Sequence, residues 1–148
     1  MRIAVLGAGT VGTSIAEMLC QHRHNVTVVD SNPAATQRAD DELDVRAVTG
    51  SAAQSSVLFQ AGVPGADLCL AVTGSDEANM IAASIGKAMG ARRTVARVYA
   101  PVFRDLSTFD YQRHFHIDRL LSLEHLSAME LARAIRHPGS IAVENFAR

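Results

Sequence analysis

The chain has 148 residues, of which 48% are hydrophobic and 20% charged, a size and composition typical of one globular domain with its own core. Its 14 Lys and Arg residues are balanced by 15 Asp and Glu residues, and because no basic stripe stands out, we expect no nucleic-acid binding. No stretch predicts a membrane-spanning helix, and Cys20 and Cys69 lie in apolar patterns typical of small core residues in a reducing compartment.

Short apolar runs alternate with amphipathic stretches along the chain. The runs predict β-strands at Arg2–Leu6, Asn25–Val29, Val45–Val48, Asp67–Val72, Thr94–Val98 and Asp118–Ser122. The stretches predict helices around Val11–Leu19, from Pro33, over Ala53–Ala61, over Asp76–Met89, from Val102 and over Leu123–Arg136. Turn signals stand at Val63–Gly65 and His137–Gly139.

Several of the predicted strands are apolar on nearly every residue, as the strands of a parallel sheet covered on both faces are. We therefore predict an α/β, Rossmann-like fold. Its doubly wound parallel sheet has six strands in the order 3-2-1-4-5-6, with helices on both faces.

Three glycines form a G-x-G-x-x-G motif between the first strand and the first helix. In that context Gly7 permits a tight turn, Gly9 lets backbone N–H groups approach a pyrophosphate, and Gly12 allows close packing of helix on strand. The phosphates are expected at the positive helix end, against the amides of Ala8 to Val11. The alternative is a glycine-rich turn without a ligand.

Asp30 ends the second strand, 18 residues after Gly12. At that position a carboxylate can accept both hydroxyls of an adenosine ribose. The alternative, helix capping before Pro33, is served equally well by Ser31 or Asn32. Because Asp30 would repel a 2'-phosphate and no Arg follows it, NAD is predicted in preference to NADP.

Small polar residues follow the third and fourth strands, where a ligand crevice is expected. Ser51 and Ala52 could line its adenine side, and Thr73 with Gly74 its centre, although Ser51 and Ser75 are equally plausible helix caps. Arg97 interrupts an apolar strand and either reaches a phosphate across the crevice or extends from the sheet edge to solvent.

No catalytic group is evident. None of the six histidines falls at the carboxyl end of a predicted strand, and the His114-x-His116 pair lacks further metal ligands nearby. We therefore predict neither catalytic residues nor a metal. A dehydrogenase whose catalytic half is missing, or a fold that has lost its ligand, are the alternatives to a binding domain.

The last predicted helix carries more apolar surface than one sheet can cover. Leu126 and Met129 lie outside the stripe formed by Ala128, Leu131, Ala132 and Ile135, and five of the seven aromatic residues precede this helix within Tyr99–Phe115. Such an excess predicts a subunit interface, or packing by residues beyond the chain.

Together these residues resemble the nucleotide-binding domain of the TrkA/KtrA and RCK (KTN) family of potassium-transport regulators. The matching pieces are Gly7–Gly12, Asp30, Gly50–Ala52, Ala71–Asn79, Ala96–Val98, Ile117–Asp118 and Leu121–Glu124. Two positions depart from the family pattern: Ser51 stands where an Asp usually contacts the nucleotide, and Leu123 replaces the proline of a Ser-Pro-Glu sequence.

The resemblance implies a cytoplasmic, non-enzymatic domain, peripheral to the inner membrane, that binds NAD(H) or alternatively ATP or ADP. It would form a homodimer, or a tetramer or octameric ring, and pass a ligand-dependent shape change to a membrane potassium transporter or channel subunit. The expected nucleotide-binding residues are Gly7, Ala8, Gly9, Thr10, Val11, Gly12, Asp30, Ser31, Gly50, Ser51, Ala52, Thr73, Gly74, Asn79 and Arg97. Residues 1–137 would form this domain, and 138–148 the start of a connection or a tail.

Overall fold

The computed structural model describes residues 1–122 of the chain. The predicted helix over 123–136, the domain boundary at 137 and the segment 138–148 lie outside the described residues. The strands are β1 Arg2–Leu6, β2 Asn25–Asp30, β3 Arg46–Thr49, β4 Leu68–Ala71, β5 Thr94–Arg97 and β6 Arg119–Leu121. The helices are α1 Thr10–Gln21, α2 Pro33–Glu42, α3 Ser55–Gln60, α4 Asp76–Met89 and α5 Tyr111–His114.

The six strands form one parallel sheet in the order β3-β2-β1-β4-β5-β6. This confirms the predicted fold class and strand order. The chain leaves β1 toward β2 on one side and returns to β4 on the other, so strand order reverses between β1 and β4. In a doubly wound sheet this reversal opens a crevice at the carboxyl ends of the two strands.

Two apolar layers cover the sheet. On one face α1 and α2 pack against Val5, Val28 and Leu70, and on the other α3 and α4 pack against Leu6, Cys69 and Ala96. The alternation of side chains along each strand supplies both layers, which explains why the central strands read as continuous apolar runs. Among residues 1–122, no helix is long and apolar enough to cross a membrane.

Helix α4 begins and ends where its sequence predicts. The Ser75 hydroxyl accepts a hydrogen bond from the Ala78 N–H at 3.2 Å, acids occupy the first turn, and Lys87 lies in the last turn before Gly90. The charges are stabilising at both ends of the helix dipole. Lys87 also forms an ion pair with Asp118 at 3.0 Å, which joins the end of α4 to the start of β6.

Two predicted helices are shorter than expected. Helix α3 begins at Ser55 rather than Ala53, because the Ser51 hydroxyl accepts the Ala53 N–H and holds residues 51–54 in a turn. The helical stretch predicted from Val102 is wrong as one element. It divides into a 3-10 turn at Pro101–Phe103 and the four-residue α5, whose start is capped by Asp110.

The aromatic residues ahead of β6 pack on one another. Phe109 and Tyr111 meet edge to face with ring centroids 4.8 Å apart, and Phe103 contacts Tyr111 in the same way at 5.1 Å. Phe109 and Phe115 each keep more than a third of their surface exposed. The predicted interface depends on Leu126 and Met129, which lie outside the described residues, and stays a prediction.

The two cysteines give a test of the apolar core. Both are free thiols; Cys69 is fully buried, and burial raises the pKa of its thiol to about 12. Because the thiolate is the reactive form, iodoacetamide at pH 8 should modify Cys20 first, and Cys69 only after urea unfolds the chain. Peptide mass spectrometry with and without urea measures both sites. Equal labelling of both thiols in the folded chain would contradict the described core.

Candidate nucleotide-binding site

The turn after β1 is built from glycines with different tasks. Gly7 has a φ of +116°, which favours glycine, and a Cβ there would lie 2.9 Å from the Thr73 nitrogen. A Cβ on Gly12 would lie 1.8 Å from the Gly7 carbonyl oxygen, so α1 packs directly on the turn. The structural roles predicted for Gly7 and Gly12 are therefore confirmed.

Gly9 has no such steric need. Its φ is −76°, and a Cβ would meet no atom of residues 1–122 within 4 Å. Gly9 is the N-cap residue of α1, and the first turn of that helix contains no acidic side chain. The N–H groups of a first turn lack intrahelical acceptors, so this open helix start can receive an anion. The contact of Gly9 with a pyrophosphate stays a prediction.

Asp30, the last residue of β2, holds the turn after β1 through its carboxylate. One carboxylate oxygen accepts the Ala8 N–H at 2.7 Å and the other accepts the Asn32 N–H at 2.8 Å. Asn32, one of the two residues predicted to cap α2, accepts the Ala34 N–H at 3.0 Å. A carboxylate has about four acceptor positions, so Asp30 keeps capacity for ribose hydroxyls after these two bonds.

The Asn79 side chain holds the turn after β4 through hydrogen bonds. This side chain is fully buried, and its Oδ1 accepts the Thr73 N–H at 2.8 Å and the Thr73 hydroxyl at 2.6 Å. Its Nδ2 donates to the carbonyls of Thr73 and Arg97 at 3.0 and 2.9 Å. Asn79 was predicted as a nucleotide contact, but the structure places it behind the wall of the cleft, where it joins the ends of β4 and β5.

Arg97 is 95% buried, so the alternative in which it extends from the sheet edge to solvent is wrong. Its Nη2 donates to the Thr73 carbonyl at 2.6 Å, and its Cζ lies 4.7 Å from the ring centroid of Tyr99. The Arg97 Nε is buried without a hydrogen-bond partner in the described part of the chain. An orphaned guanidinium N–H at this depth is suited to an anionic ligand, because leaving a buried charged donor unpaired is costly.

These elements enclose a cleft of about 590 Å³, within the size range of cofactor sites. Eleven of the fifteen predicted residues line it: Gly7, Gly9, Thr10, Val11, Asp30, Ser31, Ser51, Ala52, Thr73, Gly74 and Arg97. The other four, Ala8, Gly12, Gly50 and Asn79, lie outside the lining. Among residues 1–122, sequence reasoning missed six that line the cleft: Val29, Ala53, Val72, Ser75, Ala78 and Tyr99.

Most of the missed residues flank predicted ones along the chain, so extending each motif by one residue would have found them. Tyr99 lies two residues beyond Arg97 and carried no motif signal. Strand β5 ends at Arg97, so Tyr99 lies beyond the strand and no local spacing indicated it.

No metal centre is formed in the described region: no group of three or more His, Cys, Asp or Glu side chains in residues 1–122 could hold an ion. His114 instead stacks on Phe109, with ring centroids 4.8 Å apart. Of the side chains that line the cleft in this part of the structure, only Asp30 and Arg97 are charged, and none is a histidine, lysine or cysteine. The hydrogen-bonding groups that this part of the cleft presents are the open start of α1, the Asp30 carboxylate and the Arg97 guanidinium.

Comparison with known proteins identifies relatives by sequence. The family model described as the TrkA-N domain matches residues 3–109. The Trk system potassium uptake protein TrkA of Haemophilus influenzae is 38% identical over 149 residues, covering 99% of this chain and 32% of that protein. The chain thus spans about a third of the length of the curated relatives it matches.

Solved structures share the fold. The NAD(P)-binding domain of an exopolyphosphatase-related protein from Archaeoglobus fulgidus has a TM-score of 0.72 at 16% identity, covering 91% of this chain and 97% of that one. The GsuK channel bound to NAD has a TM-score of 0.70 at 20% identity, covering 82% of this chain and 21% of that one.

Proposed function

Because the chain belongs to the TrkA-N domain family, as its motifs predicted, we propose that it binds NAD(H) and regulates potassium transport through a membrane partner. The curated relatives are named as potassium uptake proteins, which supports this class of function. The nucleotide acts as a signal in this proposal, and the domain carries out no chemistry on it.

The cleft between β1 and β4 is the observation that carries the proposal. The start of α1 offers backbone N–H groups for a diphosphate, Asp30 retains acceptor capacity for a ribose, and the Arg97 Nε, which has no hydrogen-bond partner in the described part of the chain, supplies a buried donor. Asp30 also favours NAD over NADP, because Ser31 and Asn32 follow it and no positive side chain stands there to receive a 2'-phosphate.

The same cleft supports binding without hydride transfer. Enzymes that catalyse hydride transfer need a positioned acid or base beside the nicotinamide. In the lining drawn from residues 1–122, the Asp30 carboxylate already accepts two backbone N–H groups and Arg97 donates to the Thr73 carbonyl. Both charged groups therefore hold the backbone of the cleft walls in place.

Regulation requires that ligand affinity differ between two arrangements of the assembly, since equal affinity shifts no equilibrium. We place the nucleotide-binding domain at 1–137 and a connection or tail at 138–148. The domain would act as a homodimer or larger ring on the cytoplasmic side of the membrane, joined partly through the segment after Glu124.

Replacing Asp30 by alanine tests the assigned site. We expect NADH affinity to fall by about 1–3 kcal/mol, because the ribose hydroxyls lose their acceptor and the Ala8 N–H loses its partner. Calorimetric titration with NADH measures the effect, and Asp40→Ala removes the same charge from an exposed position of α2 as a control. Unchanged affinity in Asp30→Ala would refute the ribose assignment.

A further inference from the structure

A second pocket opens at the opposite end of the strands from the cleft between β1 and β4. It lies where β1, β2 and β3 begin, and its volume is about 180 Å³. That is smaller than the clefts of about 300–1,000 Å³ that typically hold cofactors. The pocket therefore suits a single small group, and a ligand there would leave the cleft at the carboxyl ends of the strands free.

Strand register brings two arginines to this pocket. Arg2 is opposite Asn25, while Arg46 is opposite Thr27, which in turn pairs with Ala4. All five residues line the pocket, and their even spacing along the strands places them on one face of the sheet. The Cα atoms of Arg2 and Arg46 are then about 12 Å apart, so the two long side chains can converge on one small anion.

The pocket stays open because the segment over it carries only small side chains. Helix α3 has six residues and ends at Gln60, and Gly62 then turns the chain with a φ of +79°. The wall that faces the strands is formed by Ala61, Gly62 and Ala66. None of the three has a side chain larger than a methyl group, so the space above the strand starts is left unfilled.

Arg2 is held in place at the edge of this pocket. Its backbone N–H donates to the Asp67 carboxylate at 2.8 Å, and its carbonyl accepts the Asp67 N–H at 2.8 Å. Its guanidinium lies against Gly65, where an added Cβ would come within 2.8 Å of Nη2. The Asp67 carboxylate thus binds the backbone of Arg2, and the guanidinium stays available to a ligand.

The positive charge of the pocket has no acidic counterpart in its lining. Arg2 and Arg46 are the charged residues of the lining formed by residues 1–122. The single ion pair in that part of the chain joins α4 to β6, so neither guanidinium has a carboxylate partner there. The exposed Arg92 adds to the charge nearby, since its N–H donates to the Ala66 carbonyl at 3.0 Å. A concave site with this charge attracts anions.

We propose that this basic pocket, formed by Arg2, Asn25, Thr27 and Arg46, binds a phosphate group. A guanidinium presents paired N–H donors that match the oxygens of a phosphate or a carboxylate. Two guanidinium groups favour phosphate, because its oxygens can accept from both at once. The Asn25 amide and the Thr27 hydroxyl belong to the strand between the arginines and add neutral donors. The phosphate is either the free ion or the headgroup of an acidic lipid, since both present the same oxygens.

Titration of the full chain with sodium phosphate, followed by ¹H–¹⁵N NMR, tests the basic pocket. We expect saturable shifts of the Thr27 and Gly62 amides with a Kd of about 1 mM, which sodium chloride of equal ionic strength does not produce. Arg46→Gln should weaken this binding about tenfold, because one charged donor is lost. Arg38→Gln removes the same charge from an exposed position of α2 and should leave the binding unchanged.

Arg2→Gln covers the case in which Arg46→Gln does not fold, and it should also weaken phosphate binding about tenfold. Cosedimentation with phosphatidylcholine vesicles that contain phosphatidic acid distinguishes the two sources. Vesicle binding that both substitutions abolish assigns the lipid headgroup, whereas phosphate binding without it assigns the free ion.

Three results would overturn the inference. They are the absence of both phosphate and vesicle binding, phosphate shifts confined to the amides of Gly9 to Val11, and an equal loss of binding in Arg38→Gln. Neither measurement reads NADH binding, so failure of the proposed nucleotide function would leave this test intact.

Discussion

Replacing Gly12 by alanine is expected to lower the free energy of unfolding by about 3 kcal/mol or more, the upper part of the range for inserting atoms into a packed site. The added Cβ would lie 1.8 Å from the Gly7 carbonyl oxygen and 2.8 Å from its carbon, both of them backbone atoms that no rotamer change can move. Helix α1 would have to shift away from the turn after β1. Urea unfolding followed by circular dichroism measures the loss.

Gly9→Ala is the matched control in the same motif. Its φ of −76° suits any residue and the new Cβ would meet no atom of the described residues within 4 Å, so stability should change by no more than about 1 kcal/mol. NADH affinity should nevertheless fall about tenfold, since the methyl group would stand in front of the amides assigned to the diphosphate. Full NADH affinity in Gly9→Ala would refute the assignment of the diphosphate to the start of α1.

Replacing Asn79 by alanine is expected to cost about 3 kcal/mol in stability. The side chain is fully buried, and its loss leaves the Thr73 N–H and the carbonyls of Thr73 and Arg97 without this partner. NADH affinity should fall too, although Asn79 does not line the cleft, because the turn after β4 would no longer be held. Unfolding and NADH titration of the same variant measure both effects.

Ser75→Ala removes a polar side chain four residues earlier and provides the comparison. The Ser75 hydroxyl caps α4 at the surface, and losing such a cap typically costs about 1 kcal/mol. If Asn79→Ala is no more destabilising than Ser75→Ala, the buried network does not hold the ends of β4 and β5 together.

Most of the fold could be predicted because apolar runs and helical spacings are signals carried by neighbouring residues. The apolar runs and helical spacings placed all six strands within one or two residues of their bounds, and α4 over the same residues. Where competing turn chemistry was strong, the same reasoning failed. The Ser51 hydroxyl shortened α3, and Pro101 with Asp110 divided the stretch that was predicted as one helix.

The candidate site was predicted less completely, for a physical reason. Its glycine turn and Asp30 belong to a contiguous strand–turn–helix–strand unit, whose motif spacing reports the geometry directly. Asn79 and Tyr99 act through partners 18 and 23 residues away in the chain. Only the adjacency of β4 and β5 brings those partners together, so no local spacing reveals them.

The sequence by itself determined the order of strands and helices, the glycine turn and the acid that follows β2, since backbone conformation and hydrophobic period are properties of neighbouring residues. The tertiary structure alone decided that Asn79 supports the cleft from behind, that Arg97 is buried with no hydrogen-bond partner for its Nε among residues 1–122, and that Tyr99 stands against it. Those outcomes depend on which side chains meet across the sheet and on how much water reaches them, and both are set only when the strands are paired.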